Sequence, residues 1–194
     1  MYDFEKYEKL IKETLSEYRY NHSMCVAKKA NELAKKHGLN EDKAYLAGIL
    51  HDITKEMPNE NQIELIERYD RPLTYVERGN HRVFHQMSGA VYVKYILGID
   101  DEDIVNGIRY HTTGCENMTD FEMLIYLADF TSADRDYPDV DIMRSETEKG
   151  FKYGMLYSLK YTIREVVKRE RMLHPDTLHC YNWIIKQTEE INGK

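Results

Sequence analysis

Four histidines and two aspartates of this 194-residue chain stand where helical runs begin or end. They are His22 in RYNHSM, the pair His51-Asp52 in LAGILHDITK, His85 in VFHQMSGA, His111 in IRYHTTG and Asp129 in LIYLADFT. Imidazole and carboxylate are the side chains that hold divalent transition metals, and a carboxylate beside an imidazole can bridge two cations. A lone His-Asp pair is commonplace at helix ends. Here Asp129 closes a strongly apolar stretch, where an unpaired charge is costly, and the other members leave apolar helix faces as well. Six such groups are expected to converge on one metal centre.

Cations and donors suited to phosphate lie next to these residues. Lys55 is one turn beyond Asp52 and can act as a point charge. Arg19 precedes His22 by one turn and could clamp a phosphate with both arms of its guanidinium. Arg135 follows Asp129 by a short loop, and Thr112 offers a hydroxyl and an amide beside His111. Surface solvation is the ordinary fate of lysine and arginine. What sets Lys55 and Arg19 apart is their neighbours, whereas the residues alone leave Arg135 and Thr112 open between phosphate binding and solvation.

The elements that must position this set are helices. Apolar residues recur at helical spacing from end to end, with only four prolines and ten glycines. The pattern predicts a first helix over Phe4 to Tyr18, then one over about Tyr20 to His37 stopped by Gly38. His37 reads as a helix-end cation. Asn40 is expected to cap EDKAYLAGILHDI, and another helix follows Pro58. LTYVERGNHRV is poorly periodic and reads as a loop. Helices are expected over His85 to Leu97, ended by Gly98, and over Asp101 to Tyr110, capped by Asp100. Thr119 should cap FEMLIYLADFT, and SADRDYPDVD reads as a loop. From Ile142 to Glu190 the pattern gives two or three long helices broken near His174-Pro175. Tyr45, Tyr92, Tyr126, Tyr157 and Trp183 read as packing residues, and His179 as exposed. The fold class is all-α, a single helical domain spanning residues 1–194.

Composition narrows the function. Net charge is −7, which disfavours non-specific binding to nucleic acid. No run of 18 apolar residues occurs, so no membrane span is expected. The N-terminus lacks the apolar core of a secretory signal. Cys25, Cys115 and Cys180 are odd in number and far apart, which suits reduced thiols and a cytoplasmic setting. The oligomeric state is left open, a homodimer included.

The order H…HD…H…H…D resembles the HD-domain metallo-phosphohydrolases. RYNH, LAGILHDITK, HQMSGA, IRYHTTG, IYLADF, the arginine of ADRDYP, and HPDTLHCYNW together are similar to the YqeK type, which are symmetrical dinucleoside tetraphosphatases. The similarity runs from about Tyr18 to Trp183. It implies an HD-domain helical bundle with additional C-terminal helices. It also implies two divalent metals, iron by preference, with manganese, nickel or zinc compatible with the same ligands. His22, His51, Asp52 and Asp129 would hold one, and Asp52 would bridge to a second completed by His85 and His111. A hydroxide generated between the metals would attack in line and split diadenosine tetraphosphate into two ADP. Lys55, Arg19, His111, Thr112 and Arg135 would meet the phosphates, and Met172, Leu173 and His174 would close over the nucleotide. One departure is Gln86, where the related pattern has glycine after the histidine. His81, four residues before His85, is a competing ligand set aside for the loop-like sequence around it. Competing functions are another HD phosphohydrolase acting on nucleotides or cyclic nucleotides, a diiron oxygenase, and a non-catalytic nucleotide-binding module.

Overall fold

The computed structural model describes residues 2–191, and among them there are eleven α-helices and no strand. The first is α1 (Phe4–Thr14), shorter than expected because Leu15 turns extended. Ser16 then caps α2 (Glu17–His37), its Oγ accepting from the Arg19 amide, so Tyr18 and Arg19 belong to the first turn of α2. Gly38 ends α2 in the left-handed conformation at φ 69°. As expected, Asn40 caps the next helix, α3 (Glu41–Leu50).

Helix α3 stops at Leu50 and the chain runs on in turns through His51 to Lys55. A Cβ on Gly48 would come within 2.5 Å of Ala27 Cα, so glycine is what lets α3 lie this close to α2. Against this pair pack α7 (Glu102–Tyr110) and α8 (Asp120–Thr131), and α6 (Phe84–Val91) packs in turn on α7. Their inward faces form the main core, with Ile49, Leu50, Ile104, Ile108 and Leu124 fully buried. Thr119 caps α8 in a capping box with Glu122, as the sequence predicts.

Beyond α1, three further stretches differ from the sequence reading. The stretch read as a loop contains α5 (Tyr75–Arg78), preceded by α4 (Asn59–Tyr69), and a 3₁₀ turn over His81–Val83. A Thr74–Glu77 capping box nucleates α5, a local signal that outweighs the missing periodicity. Helix α6 does not reach Leu97 as one α-helix but widens into a π-helix over Tyr92–Ile96. Asp101, one residue later than expected, caps α7 by accepting from the amides of Asp103 and Ile104.

The C-terminal third is α9 (Val140–Lys149), α10 (Phe151–Lys168) and α11 (Pro175–Ile191), with an additional break at Gly150. Helix α10 packs on α8, α9 and α11. Tyr126 is fully buried and Tyr45, Tyr92 and Trp183 are half-buried at the margins of the core, whereas Tyr157, read as a packing residue, is half-buried without packing on it. His179 is exposed, and His37 is exposed with its ring 4.1 Å from that of Phe151. No helix is long and apolar enough to cross a membrane among the described residues.

Candidate metal centre

The ends of α3, α7 and α8 meet the beginnings of α2 and α6, and the six residues arrive together there. His51 and His111 are the C-caps of α3 and α7, Asp129 lies in the last turn of α8, His22 in the second turn of α2, and His85 at the start of α6. The four histidines and Asp52 are at most 3% exposed, and the Asp129 side chain is 16% exposed.

Asp52 stands in the middle with its two oxygens facing different partners. Oδ1 lies 3.4 Å from His85 Nε2 and 3.7 Å from His111 Nε2. Oδ2 lies 3.6 Å from His51 Nε2 and 3.9 Å from His22 Nε2. Asp129 Oδ1 is 3.0 Å from His22 Nε2 and 3.9 Å from His51 Nε2. Two overlapping groups therefore have ligand atoms within 4.8 Å of one another: His22, His51 and Asp129, and His51, Asp52 and His111.

Hydrogen bonds behind the rings fix which nitrogen faces inward. His51 Nδ1 is 2.8 Å from the Gly48 carbonyl and His111 Nδ1 is 2.7 Å from the Ile108 carbonyl. A carbonyl only accepts, so both Nδ1 atoms carry the proton and both Nε2 atoms present a lone pair to the centre. His22 Nδ1 is 2.7 Å from Asp134 Oδ2, the same arrangement with a carboxylate behind it. Asp134 was not singled out in the sequence, although it adjoins Arg135, which was. Ser132 Oγ in turn donates to Asp134 Oδ1 at 2.7 Å.

Two polar atoms of the centre, His51 Nε2 and Asp52 Oδ1, are buried without a hydrogen-bond partner. Buried polar groups are rarely left so, and each costs about 1–3 kcal/mol unpaired. Protonation directions agree with a ligand role. Burial brings His51 down to about 4 and, with the Lys55 charge, puts His85 well below its usual value. Burial opposes ionisation of Asp52, yet the charges of Lys55 and His51 hold it well below the usual carboxylate range. Arg135 does the same for Asp129. His22 is the exception, since the Asp129 hydrogen bond and charge raise it against its burial. Neutral imidazoles beside anionic carboxylates are the forms that bind a divalent cation without first losing protons. The donor set and the two unpartnered atoms fit such an ion.

The cationic residues sit at the rim. Arg19 Nη1 donates to Asp52 Oδ2 at 3.0 Å, its helix start tied to the Asp52 turn by Ser16, which donates to Glu56 from both N and Oγ. Lys55 Nζ lies 3.0 Å from His85 Nε2 and 3.8 Å from Asp52 Oδ1. Arg135 contacts Asp129 Oδ1 and donates from Nε to the Asp129 carbonyl at 2.8 Å, with Nη2 at 3.3 Å from His22 Nε2. Thr112 Oγ1 is 3.1 Å from His85 Nε2.

Gln86, the departure noted in the sequence, braces this rim. Its Oε1 accepts from the Thr112 and Thr113 amides at 3.0 and 3.1 Å, and its Nε2 donates to Thr113 Oγ1 at 3.0 Å. His81 is exposed on the 3₁₀ turn and makes no contact with the centre. A cleft of about 270 Å³ opens beside Thr112, with Phe130, Tyr161, Met172, Leu173 and His174 on its walls. Met172 is partly exposed, whereas His174 is buried and also engaged beneath the cleft, 3.4 Å from Glu77.

An all-helical bundle whose helix ends gather four histidines and two aspartates defines a class of metal-binding helical proteins. The chain belongs to the HD domain family, whose model matches residues 19–134. It is 36% identical, over 90% of its length and 94% of the relative's, to the symmetrical bis(5'-nucleosyl)-tetraphosphatase of Bacillus subtilis (strain 168). The protein of that name from Staphylococcus aureus (strain NCTC 8325 / PS 47) is 31% identical over 97% of this chain and 98% of its own. The fold is similar to the crystal structure of a predicted HD superfamily hydrolase involved in NAD metabolism from Clostridium acetobutylicum. That match has a TM-score of 0.93 and 33% identity, covering 96% of this chain and 99% of the other.

Proposed function

We propose that this protein hydrolyses dinucleoside polyphosphates and splits diadenosine tetraphosphate symmetrically into two ADP. The observation that carries the reading is the divided Asp52 carboxylate, one oxygen facing His85 and His111 and the other facing His51 and His22. Relatives carrying the tetraphosphatase name over nearly the whole chain supply the substrate class.

Two divalent ions, iron by preference, would be held by His22, His51, Asp52 and Asp129 on one side and by Asp52, His85 and His111 on the other. Bound there, such ions supply an activated water and offset phosphoryl charge. The chain's own groups do the rest. Lys55 and Arg19, both at Asp52, offer positive charge to a tetraphosphate, and Lys55 stabilises the departing diphosphate. Thr112 donates to a phosphate oxygen from its hydroxyl, held in place by Gln86 behind it. Arg135 orients Asp129 and adds charge at the His22 side. Met172, Leu173 and His174 wall the cleft in which a nucleoside would lie. The three free cysteines suit a cytoplasmic protein.

The test is to purify the protein under reducing conditions, measure bound metal, and resolve the products from diadenosine tetraphosphate by ion exchange. ADP as sole product with about two metals per chain is the expected result. AMP plus ATP would refute symmetric attack, and metal-loaded protein without turnover would refute the substrate assignment.

A further inference from the structure

A symmetrical dinucleoside substrate carries a nucleoside at each end, and the bond to be cut lies midway between them. The cleft beside Thr112 has about 270 Å³, at the lower edge for a drug-sized ligand, which suits one nucleoside and not two. Its walls include Thr112, Phe130 and Tyr161, and none of them comes from α2. Thr112 stands at His85, on the side that Asp52 Oδ1 faces. The other nucleoside must leave the centre elsewhere. Helix α2 starts on the side that Asp52 Oδ2 faces, where Arg19 donates to that oxygen at 3.0 Å.

Tyr18 precedes Arg19 in the first turn of α2. It is 66% exposed, and the Arg19 guanidinium lies 5.4 Å from its ring centroid. Arg19 is the only charged group or ring in contact with it among the described residues. Arg68 and Arg109 lie over Tyr69 and Tyr110 in the same way, but neither arginine bonds to a residue of the centre. At Tyr18 the ring is held by a cation that is itself anchored on Asp52, and it is left open to solvent. The turn that carries both is fixed by the N-cap Ser16, which donates to Glu56 from N at 2.6 Å and from Oγ at 2.7 Å. Every nucleobase has a π-face, so a tyrosine ring can take one by stacking, and a ring ordered beforehand loses less freedom on binding.

We infer that Tyr18 is the platform on which the second base of the substrate stacks, so that a dinucleoside polyphosphate spans the centre from the cleft to the start of α2. The inference rests on the hydrolytic reading and deepens it. Tyr18 then favours dinucleoside over mononucleoside ligands, and Arg19 links the phosphates to the ring.

The test uses the metal-loaded full chain. Tyr18→Ala should raise KM for diadenosine tetraphosphate about tenfold, the loss of one base–aromatic stack, with kcat held, as loss of uniform binding does. The inhibition constant of ADP, which the cleft holds, should not move. Tyr18→Trp should keep the low KM. In a Trp183→Phe background its indole fluorescence should be quenched by the uncleavable analogue with a methylene group in place of the central bridging oxygen. The side chain is exposed, so the variants are expected to fold, with unchanged circular dichroism as the check. An unaltered KM in Tyr18→Ala, an ADP inhibition constant raised as much as KM, or no quenching by the analogue would each overturn the inference. Absence of turnover in the unmutated chain would instead sink the hydrolytic reading, and the quenching titration would still decide on Tyr18.

Discussion

Two buried clusters in this protein use the same side-chain types, and they end differently. Beneath the cleft, Glu77 is 1% exposed and fully answered. Its carboxylate accepts from both arms of Arg71 at 2.7 and 2.9 Å, from the Thr74 amide at 2.7 Å and from the Thr74 hydroxyl at 2.8 Å. His174 Nε2 lies 3.4 Å away, and His174 Nδ1 accepts from the Asp176 amide at the start of α11. In the centre, Asp52 is as buried, yet one of its oxygens and one nitrogen of His51 have no partner. A carboxylate with every lone pair used holds a fold together. A carboxylate left open among inward-facing imidazoles is built for something not made of protein. Mutations should therefore separate along this line, with activity lost at the centre and stability lost at Glu77.

Asp52→Ala should show the largest effect. Turnover should fall on the order of 10³-fold or more, since removal of the shared ligand takes away both charge stabilisation and water activation. Metal content should fall with it, while far-ultraviolet circular dichroism stays helical. Retained turnover would remove Asp52 from the centre and erase the contrast. Glu77→Ala should do the reverse and keep the metals while destabilising the fold by about 2–3 kcal/mol. The figure is held to the lower end because Arg71 is 41% exposed and can turn to water once its partner is gone. Denaturant midpoints measured on metal-loaded protein would check it.

Lys55→Ala and Asp134→Asn sharpen the picture inside the centre. The first should leave metal content unchanged and lower kcat about 10²-fold, as loss of one preorganised charge does. Metal lost along with Lys55 would mean that it supports the ligands and does not meet the phosphates. The second should weaken metal binding about 10–100-fold, because Asp134 only fixes the His22 ring from behind. Metal-competition titrations distinguish the two.

How much of this could be read from the sequence follows from the same distinction. The six residues of the centre were legible as ligand-type groups because each lies at or near one end of a helical run, and helical periodicity is a strong signal. Asp134 and Gln86 were not, because each acts through a hydrogen bond across 112 residues to His22 or 26 to Thr112, and no local pattern announces such pairing. Gln86 did leave a trace, as the one residue breaking the related pattern beside His85. Glu77 was hidden in a stretch read as loop, although its capping box T-Y-V-E is in plain view. The π segment at Tyr92–Ile96 carries an ordinary helical pattern, and only the packing around it widens the turn.

The smallest expected effect is a difference in how the two clusters answer pH, best seen in chelator-treated protein. Folded His51 is brought down to about 4 from its ordinary 6.5, and His85 moves the same way. Between pH 6.5 and 4 the unfolded chain therefore binds protons there that the folded one refuses, so stability falls as pH falls through that window. His22 is raised and contributes in the opposite sense, its stabilisation being present at low pH and lost as pH rises through its folded value. The His22 window lies above 6.5, so it does not offset the other two, and the loss between 6.5 and 4 is that of two histidines. Glu77 is held well below the usual carboxylate range despite its burial, by Arg71 and Thr74. Its contribution is intact above the ordinary value of 4.5 and is lost only as pH falls below it. Melting temperatures across pH should thus fall along one limb between 6.5 and 4.5, set by His51 and His85, and along a second below 4.5, where Glu77 is joined by Asp52 and Asp129. His51→Gln should make the first less steep and spare the second, and Glu77→Gln should do the opposite. If Glu77→Gln instead flattened the limb above 4.5, the two clusters would be one coupled network, and the line drawn between holding the fold and holding a metal would fail.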